Sequence, residues 1–140
     1  MLASCDNGAK ESNDPKMRLN EYISKSFGAK SLEDKNDLMS YLTGEAKSRL
    51  SAWSEDQFRQ AFIDSKRQFL KLAYTEVKKI SPDETDITYE ISYMDKAKGN
   101  NVKVTNKKMS QLILEDGKWM IRDVHNIKEL IEYQNEMSLP

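Results

Sequence analysis

The run Trp53-Ser54-Glu55-Asp56-Gln57-Phe58, continued as RQAFIDSKRQFLKLAYTEVKKI over residues 59–80, decides how the chain is read. Ser54 is placed to accept from the Gln57 amide while Gln57 reaches back to the amide of Ser54, a capping box, with Trp53 set to pack on Phe58 as a hydrophobic staple. Glu55 and Asp56 put negative charge where the helix dipole favours it. Phe58, Phe62, Phe69, Ala73, Val77 and Ile80 then recur at helical spacing, with Leu70 and Leu72 at the margins. The spacing predicts one long helix from Ser54 to Ile80, stopped by Ser81-Pro82. Its other side carries Arg59, Lys66, Arg67, Lys71, Lys78 and Lys79, read as the solvated back of a core helix rather than a membrane-binding face.

Upstream, Pro15 suits a first helical turn, and Leu19, Tyr22, Ile23 and Phe27 make one apolar stripe, with Gly28 offering a left-handed exit. Ser31 is an expected N-cap for a segment carrying Leu32, Leu38, Tyr41 and Leu42. Thr43-Gly44-Glu45 interrupts it, which implies two short helices, about 32–42 and 45–53, with a single kinked helix as the alternative. The second buries Ala46, Leu50 and Trp53.

Downstream the period changes from 3.6 to 2. Ile87, Tyr89, Ile91 and Tyr93 alternate with polar neighbours as a strand. Gly99-Asn100-Asn101 turns the chain into a second strand from Val102 through Ile113, with a bulge where its alternation slips. Asp116-Gly117 is the strongest hairpin signal, and Lys118–Val124 returns with Trp119, Ile121 and Asp123 on one side. Residues 126–136, with Ile127, Leu130 and Ile131, read as a short helix or docked tail. Helices followed by a meander of at least three strands give an α+β fold, the N-terminal helices packed on a curved antiparallel sheet.

At 140 residues the chain matches the size of one domain able to bury a core without disulfides or a structural metal. We read 15–140 as that domain and 1–14 as a disordered tether. No apolar run approaches the ~20 residues of a spanning helix. With 22 basic and 23 acidic side chains, the net charge of -1 gives no global attraction for nucleic acid or an anionic membrane. The locally basic stretch Asp95–Lys108 reads as a solvated hairpin and charged sheet edge.

The single cysteine, Cys5, closes Leu2-Ala3-Ser4-Cys5, followed by a polar run. The string resembles the lipobox of bacterial lipoproteins, in which small residues enter the signal-peptidase groove and the thiol is acylated. That resemblance implies lipidation at Cys5, removal of a signal peptide whose apolar region lies upstream of Met1, and a lipid-anchored place in the cell envelope, periplasmic or extracytoplasmic. Nothing beside Cys5 lowers its pKa for catalysis.

Leu114-Glu115-Asp116-Gly117-Lys118-Trp119-Met120-Ile121, ending antiparallel strands after N-terminal helices, resembles the closing hairpin of the nuclear transport factor 2-like (NTF2-like) superfamily, especially its small bacterial lipoprotein members; cystatin-like folds share the string. The resemblance covers about residues 31–125 and implies a cone of bent sheet wrapped on helices, sometimes holding a ligand, often dimeric, and in some members enzymatic.

His125 is the only histidine, and neither Cys5 nor an acidic cluster completes a metal site around it, so no metal or cofactor is expected. It is placed at the edge of a strand in a surface or capping role. Phosphate loops, nucleophile elbows and paired-histidine motifs are absent from the sequence. Asp123 could face inward for proton transfer or end a strand and cap a helix at Asn126; we take the second and assign no catalytic residue. The expectation is a noncatalytic, lipid-anchored envelope domain that binds an envelope protein or a small apolar ligand, homodimeric in one version. The alternative is a small cone enzyme of isomerase or hydrolase type, with a buried carboxylate in a pocket; a third reading is a cytoplasmic dimerisation module.

Overall fold

A computed structural model describes residues 14–133. The tether at 1–14 and its Cys5, apart from Asp14, lie outside the described residues, as do 134–136 of the expected terminal helix.

The first helix, α1 (Pro15–Phe27), starts as its sequence implies: the Asp14 carboxylate accepts from the Lys16 amide at 2.9 Å, and Pro15 occupies the first turn, where its missing donor is harmless. Leu19 and Ile23 are buried. Gly28 does not take the left-handed exit expected of it; its φ is -98°, and its amide donates back to Ser24 and Lys25. Two short helices follow, α2 (Asp34–Met39) and α3 (Gly44–Ser51), rather than one kinked helix. Ser31 does not cap α2; the Asp34 carboxylate instead turns back to accept from the amides of Lys30 and Ser31 at 2.7 and 3.0 Å, and these bonds hold its pKa below the usual carboxylate range. Gly44 separates the two helices because φ is +55° there, and a Cβ would meet the Arg122 side chain at 2.9 Å.

The capping box forms: Ser54 Oγ accepts from the Gln57 amide at 3.1 Å and Gln57 Oε1 from the Ser54 amide at 2.8 Å. The helix it starts is not long. It runs through α4 (Glu55–Phe58), loosens into a π-helical turn (Arg59–Ile63), and ends; from Arg67 the chain is a strand, β1 (Arg67–Ser81). The expected 54–80 helix therefore ends at Ile63, its last fourteen residues are strand, and Phe69 and Val77, expected in the core, are 42% and 47% exposed. The register supplies the cause. β1 pairs with β2 (Glu84–Asp95) across irregularities at Phe69/Lys71, Tyr74/Glu76 and Lys79/Ser81. Each bulge inserts one residue into a period of two, so the side chains opposite the inward set of β2 are Phe69, Leu72, Tyr74 and Val77, a mixture of twos and threes that imitates a helical stripe. Ser81-Pro82 does not stop a helix; Pro82 and Asp83 form the tight turn between β1 and β2, where Ser81 pairs with Glu84.

Strands β2, β3 (Val102–Glu115) and β4 (Lys118–Tyr133) complete an antiparallel meander in the order β1-β2-β3-β4. The β3–β4 turn places Asp116 and Gly117 at φ 52° and 80°, the left-handed pair that a two-residue hairpin requires. Residues 126–133 are neither helix nor docked tail. They continue β4, where Ile131 pairs with Val104 and Tyr133 with Val102, and a bulge around Ile127 gives Ile127, Leu130 and Ile131 their helix-like spacing.

All helices lie on one face of the sheet. Leu19, Ile23, Leu38, Leu42, Ala46, Leu50 and Phe58 pack against Ile87, Tyr89, Ile91, Leu112, Trp119 and Ile121. Burial of these apolar surfaces is the main favourable term. Arg18 ties the layers together, donating from Nε to the Trp119 carbonyl at 2.9 Å and lying 4.0 Å over the Tyr41 ring. Residues 41–43 lie along the start of β4, Thr43 donating to the Ile121 carbonyl and Ile121 to that of Tyr41, both at 2.8 Å. The fold is α+β, but the expected cone is not formed: the sheet is an open four-stranded meander with β1 and β4 as its edges, neither curled nor closed around the helices.

Candidate functional site

Between the helical layer and the middle of the sheet lies a cavity of about 380 Å³, within the range of small-ligand sites. From the helical side it is lined by Tyr22, Ile23 and Phe27 of α1, by Ala46, Arg49 and Leu50 of α3, by Trp53, and by Ala61 and Phe62 of the π turn. The sheet contributes Arg67 from β1, Tyr89, Ile91 and Tyr93 from β2, Asn106 and Lys108 from β3, and Val124 and Asn126 from β4. None of the described residues that line it is Asp, Glu or His.

The alternation of β2 carries its wall: Tyr89, Ile91 and Tyr93 face the helices because every second residue must. On β3 the same face continues from Val104 through Asn106 and Lys108 to Ser110 and Leu112, opposite Tyr93, Ile91, Tyr89, Ile87 and Thr85. Two of these contacts are polar. Ser110 Oγ donates to the Tyr89 hydroxyl at 3.2 Å, and the Asn106 amide donates to the Tyr93 hydroxyl at 3.3 Å. Burial pushes the phenols of Tyr22 and Tyr89 up to about 12, helped at Tyr22 by Tyr89 and at Tyr89 by Tyr74, where the Ser110 hydrogen bond opposes it, so both stay neutral.

Arg67 is positioned by the π turn. Its Nη2 donates to the Ala61 carbonyl and its Nε to Ser65 Oγ, each at 3.3 Å, while the guanidinium lies 4.9 Å from the centroid of Phe27 and 5.3 Å from that of Tyr93. Those aromatic faces favour a cation. Lys108 has no hydrogen-bonded or ion-paired partner among the described residues; desolvation first, and then the Arg67 charge, push its pKa down, with Glu129 opposing. Arg49 is different, because Asp123 accepts its guanidinium hydrogen bond and the pair sits at the rim. That bond, with a second from the Val124 amide at 2.9 Å, holds the Asp123 carboxyl below its ordinary range.

Asp123 therefore neither faces the cavity as an acid nor caps a helix at Asn126: β4 runs on, and its partner is Arg49. His125 is on the body of β4 rather than at a strand end, its Nε2 3.4 Å from Asp123 Oδ2, and no group of three metal-ligating side chains occurs among the described residues. The Asp95–Lys108 stretch does contain a hairpin turn, but β3 is an interior strand, and Lys108 lines the cavity instead of a charged edge. Arg67 was missed as well, hidden in the basic back of a helix that does not exist. The signal for Lys108 was available: it is two and four residues from Ser110 and Leu112, on the face they bury.

No family model and no curated protein sequence matches the chain. Among solved structures it is similar to a SEC-C motif containing protein from Rhodopseudomonas palustris, with 13% identity, TM-score 0.59, and coverage of 84% of this chain and 82% of that one. It is also similar to the intermembrane space region of the chloroplast protein ARC6, with 12% identity, TM-score 0.54, and coverage of 81% and 96%. These likenesses define a shared fold. They correct the NTF2-like resemblance drawn from the closing hairpin, because the fold they share is this open helix-on-meander arrangement and not a closed cone.

Proposed function

We propose that this chain is a noncatalytic binding domain of the bacterial cell envelope, tethered through lipid on Cys5, whose binding site is the cavity between α1, α3 and the sheet. The observation that carries it is the lining: a cavity of about 380 Å³ walled by aromatic and aliphatic side chains, with amides and cations at chosen points and no Asp, Glu or His among the described lining residues. Such a lining suits holding a molecule, whereas the isomerase or hydrolase alternative rests on a buried carboxylate in the pocket, held within reach of the reacting atoms. The envelope part is supported by the Leu2-Ala3-Ser4-Cys5 string and, more generally, by the fold shared with a region of ARC6 from an intermembrane space.

Two experiments test the reading. Fractionation of the native gene product with radiolabelled palmitate should place label and protein in the envelope, and Cys5→Ser should abolish both; unlabelled protein in the cytosol overturns the envelope assignment. Native mass spectrometry of the purified chain should show a small molecule retained by the wild type and lost in Ala46→Trp, which fills the cavity from α3. A retained molecule that survives Ala46→Trp places the site elsewhere.

A further inference from the structure

Taking that reading of the cavity as its basis, we infer that the ligand is a small amphipathic anion, with a carboxylate or phosphate head held by Arg67 and Lys108 and a hydrocarbon portion lying against Ala46, Leu50, Trp53 and Phe62. Desolvated cations are costly unless compensated, and no acidic side chain among the described residues lines this cavity to compensate them. Arg49 already has Asp123; Lys108 has no hydrogen-bonded or ion-paired partner among the described residues, although the Glu129 charge favours its protonated form, and Arg67 uses two of its five N–H groups on neutral oxygens. The remaining donors, with the side-chain amide of Asn126 beside them in the lining, form a site for a charge of opposite sign. A planar guanidinium and an ammonium suit carboxylate and phosphate alike. The helical side of the wall is mostly apolar, through Ile23, Phe27, Ala46, Leu50, Trp53 and Phe62, so a bare inorganic ion would leave that part of the cavity unfilled.

The test titrates the full chain calorimetrically with three probes of one chain length: decanoate, decyl phosphate and decanol. At least one anion should bind about tenfold or more tightly than decanol, a difference near 1.4 kcal/mol. Lys108→Gln and Arg67→Gln should each erase most of that preference, and Lys108→Arg should keep it, with circular dichroism confirming that each variant is folded. Preference for one anion assigns the head group, and equal binding of both supports the shared chemistry. If decanol binds as tightly as the anions, or the preference survives both Gln variants, the anionic assignment is overturned while the cavity stands as a site. If no probe binds, or if binding is indifferent to Ala46→Trp, the cavity reading falls and this inference with it.

Discussion

Replacing Phe58 and Phe69 in turn by alanine separates the two accounts of residues 54–80. A continuous helix puts both rings on one buried stripe, so both substitutions should cost the same. In the structure Phe58 is 0% exposed, stacked on Phe62 with centroids 4.8 Å apart, and enclosed by the core. Phe58→Ala therefore loses the transfer energy of the ring and opens a cavity, together about 3–5 kcal/mol. Phe69 sits on the edge strand, 42% exposed. Burying a whole Phe side chain contributes about 1.5–3 kcal/mol, and a little over half of that applies. Its edge-on contact with Phe27 at 5.4 Å adds about 0.5–1 kcal/mol at a surface site. The expected cost of Phe69→Ala is about 1.5–2.5 kcal/mol, so the two variants should differ by about 2 kcal/mol. Urea unfolding followed by far-ultraviolet circular dichroism measures both, provided the slope with denaturant is unchanged. Equal costs, or a larger cost for Phe69, would refute the strand assignment and the exposure argument with it.

Ser54→Ala should lose about 1 kcal/mol, and combining it with Gln57→Ala should cost less than the sum, since both bonds belong to one reciprocal box. Gly117→Ala should lose about 1–2 kcal/mol by thermal unfolding: a methyl group meets nothing within 4 Å, so the whole effect is the left-handed backbone at φ 80°. The lowered Asp123 pKa means that its contribution is complete above the unfolded value, near pH 4, and disappears as pH falls through the folded one. Arg49→Ala should flatten this acid limb in pH-dependent unfolding and cost about 0.5 kcal/mol at neutral pH, because Arg49 is 53% exposed; an unchanged limb contradicts the pairing.

What was legible in the sequence was local chemistry whose geometry repeats without interruption. The capping box at Ser54 and Gln57, the Asp116-Gly117 turn and the alternation of Ile87, Tyr89, Ile91 and Tyr93 each depend on residues a few positions apart, and each is where its pattern places it. The two misread segments, 67–80 and 126–133, are both bulged strands. Leu70, Thr75, Ile80 and Ile127 are the residues that the pairing skips, and nothing in their identities marks them. With one extra residue every few positions, inward side chains fall three apart and then two apart, which overlaps the helical template. The aromatic and β-branched content of Phe69, Tyr74, Thr75, Val77 and Ile80 was the competing signal and should have weighed more.

The same bulges decide the site. Strict alternation along β4 carries Trp119 and Ile121 on to Asp123 and His125, which would place an acid and an imidazole over the helices and make the enzymatic alternative chemically plausible. The pairing skips Arg122, since Leu112 faces Ile121 while Gln111 faces Asp123. One skipped residue moves every later side chain to the opposite face. Val124, opposite the buried Ser110, and Asn126, opposite Lys108, therefore line the cavity, and Arg122 reaches across the sheet to Glu84 at 2.7 Å. The exchange keeps a carboxylate and a histidine out of the lining and puts the Asn126 amide opposite Lys108. A single backbone irregularity, absent from any motif, thus decides which β4 side chains face the helices. Deleting Arg122 would remove the extra residue and leave Asp123 opposite Gln111 and Val124 opposite Ser110, so every later side chain keeps its face and the variant should still unfold cooperatively in urea, having lost the Arg122–Glu84 pair; a deletion variant that cannot fold would refute this account of the register.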